Sequence, residues 1–166
     1  QGKIAHARAV RERMGGKCMV MTGGAGPMTT AIAIRKPELL MRDMIRDKKN
    51  VPRLLDFSVQ CTLRWIEYNC KEFGVVPVGL TDPATSGNLI GERMFQEFSK
   101  PHMQDLLDGI RKITGINPGI HICGKTKHIW KDLKDLGFAF FSVDNCEDLA
   151  EVKAALGDTM RISGNV

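Results

Sequence analysis

The chain has 166 residues, 43% of them hydrophobic and 26% charged, which suits one soluble domain with a sizeable core. Lys and Arg number 24 against 19 Asp and Glu, a net charge of only +5, and with two Trp and one Tyr there is no basic surface interleaved with aromatics of the kind that stacks bases. No apolar run approaches the roughly 20 residues that span a bilayer. We therefore expect no nucleic-acid or membrane partner.

Five cysteines, at 18, 61, 70, 123 and 146, form no CxxC pair and are odd in number. This is not a disulfide framework, and reduced thiols fit a cytoplasmic protein. The chain opens on Gln1 and stops at Val166, just after what reads as a strand. Both ends look cut, as in an internal portion of a longer protein.

In chain order, residues 1–16 carry apolar residues at Ile4, Val10 and Met14 and read as the end of a helix, with Gly15-Gly16 as its stop. Residues 18–22 read as a short strand. Gly23-Gly24-Ala25-Gly26-Pro27 reads as a tight loop, either an anion cradle or a plain strand-to-helix connection beside a binding mouth. It lacks the full Gly-rich phosphate fingerprints. A helix is expected from Pro37, with Leu40, Met41, Met44 and Ile45 buried. A second, over 52–73, places Leu55, Val59, Leu63, Ile66, Cys70 and Phe73 on one stripe.

Residues 75–80 form the next strand, and Asp82 stands at its carboxyl end, as a turn or cap carboxylate or as a site group. A long helical stretch from Met94 to Ile113 should be kinked or divided at Pro101. The run Gly119-Ile120-His121-Ile122-Cys123-Gly124 reads as a buried strand. Residues two apart on a strand share a face, so His121 and Cys123 point one way. Imidazole and thiolate together suit zinc, although each is also common as an ordinary core residue. Thr126 can cap a helix ended by Gly137. A strand over 138–143 leads to Asp144. Glu147 and Asp148 fall in the first turn of a helix, expected to bury Leu149, Val152 and Leu156, that Gly157 closes. A fifth strand covers 161–164.

Apolar strands alternating with amphipathic helices argue for an α/β fold with a parallel sheet. Polar residues at several successive strand ends (Gly26-Pro27, Asp82, His121 and Cys123, Asp144, Asn165) favour a barrel mouth over a doubly wound sheet.

These motifs, in this order, resemble the uroporphyrinogen decarboxylase superfamily, and within it the methylcobalamin:coenzyme M methyltransferases. Gly26-Pro27-Met28-Thr29-Thr30-Ala31 is similar to the family's Gly-Pro-aromatic-Thr-x-Ala loop. Asp82-Pro83-Ala84-Thr85-Ser86-Gly87-Asn88-Leu89-Ile90 resembles its Asp-Pro-x-Ala-Ser-x-Asp-Leu-Ile segment, and His121-Ile122-Cys123-Gly124 its His-x-Cys-Gly zinc motif. Phe141-Ser142-Val143-Asp144, Gly157-Asp158 and Gly164-Asn165-Val166 resemble the motifs that follow. Met28, Asn88 and Lys125 stand where the family more often has an aromatic residue, Asp, and Asn or Asp.

The resemblance implies a (β/α)8 TIM barrel, of which residues 1–166 would be an internal portion covering about strands 3 to 7. It implies a zinc-dependent methyltransferase with His121 and Cys123 as metal ligands and the third ligand, a cysteine, beyond Val166. Asp144 would join them in catalysis. Gly26, Pro27, Asp82 and Asn165 would line the cofactor side. A methylated corrinoid such as methylcobalamin, carried by a corrinoid protein, would be the donor, and a small thiol such as coenzyme M the acceptor. A metal-free uroporphyrinogen decarboxylase and a non-catalytic corrinoid-binding protein are the alternatives.

Overall fold

A computed structural model describes residues 2–14 and 17–165. Five strands form one parallel sheet: β1 (Thr22–Ala25), β2 (Val78–Thr81), β3 (Gly119–Ile122), β4 (Phe140–Val143) and β5 (Arg161–Ser163). Each pairs with the next in chain order. A doubly wound sheet would reverse its strand order at a switch point. An unbroken sequential order is the wall of a (β/α)8 barrel, five strands long.

The helices are α1 (Gly2–Met14), α2 (Pro27–Ile34), α3 (Pro37–Arg46), α4 (Val51–Phe73), α5 (Glu92–Met94), α6 (Lys100–Thr114), α7 (Trp130–Leu136) and α8 (Leu149–Leu156). They cover one face of the sheet, where Val78, Leu80, Ile120, Ile122, Phe141 and Val143 are buried. On α4, Leu55, Val59 and Ile66 are buried, with Leu63 and Cys70 packed beside them. The alternate strand residues, including Gly79, Thr81, His121 and Ser142, face the other way. This inward face carries the polar groups.

Several elements differ from expectation. The first strand starts at Thr22, so Cys18 and Met19 lie outside it and are exposed. Gly23 and Gly24, expected in a loop, belong to the strand itself, and Gly26 is the N-cap of α2. A Cβ at Gly24 would come within 2.7 Å of Thr62 Cγ2 on α4, so the helix can lie this close only over glycine. The second strand starts three residues late, at Val78, and α2 follows β1 directly, as a strand-to-helix connection requires. Ile45 and Leu149 are exposed, at 65% and 40%. The stretch around Pro101 divides as expected: a π-helical turn, Phe95–Ser99, gives way to α6, which carries Pro101 in its first turn. Glu147 and Asp148 precede α8 instead of lying in its first turn: Asp148 is the N-cap, accepting a bond from Glu151 N. Thr126 makes no side-chain cap; its hydroxyl goes to Glu147 instead. The helix stop at Gly15-Gly16 and the terminal Val166 lie outside the described residues.

Candidate metal centre at the strand ends

The pairing of β3 with β4 sets His121 opposite Ser142. Nδ1 of His121 lies 3.0 Å from the Ser142 carbonyl oxygen and 3.1 Å from its hydroxyl. A carbonyl only accepts, so Nδ1 carries the proton and donates it there. That fixes the tautomer and leaves the lone pair on Nε2, which sits 3.0 Å from Cys123 Sγ. Cys123 follows directly after β3 on the same side and is exposed. One imidazole nitrogen and one sulfur therefore converge at the mouth, with the imidazole held from behind by the neighbouring strand. A backbone carbonyl holding the far nitrogen is a common support for a metal-bound histidine.

The pair fits zinc in kind, because zinc favours nitrogen and thiolate donors. It does not complete a site. Among the described residues no group of three His, Cys, Asp or Glu side chains is gathered.

Asp144 lies at the end of β4 but does not take the His121 N–H. Its two oxygens accept from Gly124 N at 2.8 Å and Cys146 N at 3.1 Å. These backbone donors, Gly124 first, hold its carboxyl below the ordinary range, and His121 adds a smaller pull. Burial and the adjacent Asp144 charge push the Cys146 thiol up.

Asp82 is fully buried. Its backbone N donates to the His121 carbonyl at 3.0 Å, and its Oδ1 accepts from Thr29 N in the first turn of α2 at 2.7 Å. A carboxylate from β2 thus caps a helix that no side chain of its own caps. Oδ2 is buried without a partner, and desolvation pushes the carboxyl up to about 6. Of the two readings of the segment around Gly26 and Pro27, the structure has the strand-to-helix connection, and the place of an anion is taken by this carboxylate. A Cβ at Gly26 would lie 2.3 Å from Asp82 Cγ and Oδ2. Asn165 donates to the Glu147 carbonyl at 2.5 Å, tying the end of β5 to the loop after β4.

Sequence reasoning missed Ser142 as the partner of His121 and Glu147 as a loop anchor. Both follow from strand register, which two separated segments do not reveal alone. No helix among the described residues is long and apolar enough to cross a membrane.

The family model for uroporphyrinogen decarboxylase (URO-D) matches residues 4–166. Two curated relatives, both methylcobamide:CoM methyltransferase MtaA, from Methanosarcina barkeri and from its strain Fusaro / DSM 804, are 28% identical over 160 residues. The match covers 96% of this chain and 46% of each relative, so the chain spans about half their length. A solved methyltransferase from Methanosarcina mazei superposes with a TM-score of 0.86 at 22% identity, over 98% of this chain and 47% of that one. That likeness gives the fold, and the five sequential strands are part of a TIM barrel. With the family model spanning nearly every residue and the strand order agreeing, the chain belongs to the uroporphyrinogen decarboxylase family.

Proposed function

We propose that the protein containing this chain is a zinc-dependent methyltransferase that moves a methyl group from a methylated corrinoid to a thiol. The observation that carries the reading is the convergence of His121 Nε2 and Cys123 Sγ, with Nδ1 tied to the Ser142 carbonyl. Metal-free decarboxylation gives this pinned nitrogen–sulfur pair no task. The similarity to methylcobamide:CoM methyltransferases supports the same chemistry.

His121 and Cys123 would hold the metal together with a cysteine outside these residues. Zinc bound there supplies Lewis acidity that keeps an acceptor sulfur ionised at neutral pH. The chain's own part is positional. Ser142 orients His121, Asp144 holds the backbone that follows Cys123, and Asp82 joins the start of α2 to β3. A corrinoid protein is the expected donor partner and a small thiol, coenzyme M for one, the acceptor. A cytoplasmic setting fits both.

The test uses the full-length protein, loaded with zinc and mixed with methylcobalamin and a panel of thiols, while the cobalt absorbance is followed. Demethylation in the presence of a thiol is expected. His121→Ala and Cys123→Ala should each remove metal and turnover together, whereas Cys146→Ala should keep about one zinc per chain. The reading fails if no thiol demethylates the corrinoid and zinc-free protein decarboxylates uroporphyrinogen.

A further inference from the structure

Four successive backbone N–H groups follow Cys123, and each donates to a side chain from another βα loop. Gly124 N goes to Asp144 Oδ2 at 2.8 Å, and Lys125 N to Asn88 Oδ1 at 3.1 Å. Thr126 N and Lys127 N both go to Glu147 Oε1, the second at 3.1 Å. The same Glu147 oxygen accepts the Thr126 hydroxyl at 2.8 Å, and that hydroxyl accepts from Trp130 Nε1 at 3.0 Å. Gly87 N donates back to the Lys125 carbonyl at 2.7 Å. Gly124 has φ +78°, and a Cβ there would sit 2.5 Å from Asn88 Oδ1.

No helix or strand ladder uses these four donors. A loop whose amides are free can move its sulfur by an ångström or more, and a metal site loses affinity when its supporting groups are left loose. Here the backbone just after Cys123 is held from three sides. Thr126, which anchors the far end, has no exposed surface.

We propose that Glu147, with Asn88 beside it, is a positioning residue. It touches neither metal nor substrate; it holds the Thr126 and Lys127 amides while Asn88 holds that of Lys125, and together they set the place of Cys123 Sγ. The inference rests on the zinc reading given above.

Glu147→Ala, Glu147→Gln and the surface control Glu38→Ala, on α3, are made in the full-length protein. Zinc affinity is measured by chelator competition, the cobalt(II)-substituted spectrum is recorded, and amide exchange is followed at Thr126 and Lys127. Glu147→Ala should weaken zinc about 10- to 100-fold, shift the sulfur-to-cobalt absorption band and speed exchange at those two amides. Glu147→Gln keeps an acceptor oxygen and should return all three towards wild type. Glu38→Ala should change none of the metal readouts. Faster exchange in Glu147→Ala with unchanged zinc affinity and spectrum overturns the inference alone, since the loop would then be structural only. A wild-type protein that binds no zinc sinks the underlying reading and the inference with it. If Glu147→Ala does not fold, Asn88→Ala replaces it. About a tenfold loss of zinc affinity is expected, restored by Asn88→Asp, and unchanged affinity overturns the proposal.

Discussion

Asp82 shows how one buried side chain couples electrostatics to the site. Its carboxyl is raised from 3.8 to about 6 by desolvation, against the opposing pull of the Thr29 and Met28 backbone donors. A carboxyl whose folded value lies above its unfolded one binds more protons when folded. Its contribution to stability is therefore fully present below about pH 4 and lost as the pH rises through about 6. The difference is worth about 3 kcal/mol at most. In urea titrations at pH 4 and pH 7, Asp82→Asn should remove a pH-dependent component of up to that size; an identical pH dependence in the two proteins would show that Asp82 does not titrate in this range. The pairing of His121 with Cys123 was legible in the sequence because a strand alternates its side chains. The groups supporting them were not. Ser142 reaches Nδ1 only because β4 pairs with β3 in one register, and Asp82 reaches Thr29 across 53 positions. Asp82 and Asp144, the two carboxylates expected at the strand ends, spend their bonds on backbone amides.

At the scale of elements, long amphipathic helices were the readable part. The stripe on α4 packs as its spacing requires, and the helix begins within one residue of expectation. Strand ends were harder, because β1 consists of Thr22-Gly23-Gly24-Ala25 and has no apolar alternation to read. Its Gly24 is chosen by the helix that lies on it. A related fit joins β3 to β4 on the inward face. A Cβ at Gly119 would fall 1.9 Å from Phe140 Cε1, with two further ring atoms within 2.3 Å, and the two residues are register partners. The phenyl ring thus lies directly over the glycine. Gly119→Ala should cost about 1–3 kcal/mol through overpacking. In a Phe140→Ala background the same change should cost little, leaving a coupling of at least about 1 kcal/mol in a double-mutant cycle. Additive effects in the denaturation midpoints would show that the ring moves aside freely.

Across the whole molecule, the sheet has two lateral edges and one uncovered face. At the β1 edge, Thr22 and Gly26 donate towards β2, so Gly23 and Ala25 present their carbonyls outwards. Those carbonyls are not bare. Gly23 O accepts from Trp65 Nε1 at 2.9 Å and Ala25 O from Thr62 Oγ1 at 2.8 Å, both from α4. At the other edge, Arg161 N donates to Ala139 O on the β4 side, which turns the Ile162 N–H away from the sheet. Towards the amino ends of the strands, an apolar hollow of about 840 Å³ is lined by Met19, Met21, Val78, Ile116, Phe140 and Ile162. Unpaired edges and open apolar faces promote association. Because β1 is partly covered by Trp65 and Thr62, the β5 edge and the hollow are the expected contacts. The isolated 166-residue polypeptide should therefore sediment above its 18.4 kDa monomer mass, increasingly so with concentration. Ile162→Pro removes the outward donor at β5, and Met21→Glu places a charge in the hollow. Each should lower the apparent mass, and together they should lower it further. A monodisperse wild-type monomer that melts cooperatively would show that neither the edge nor the hollow drives association.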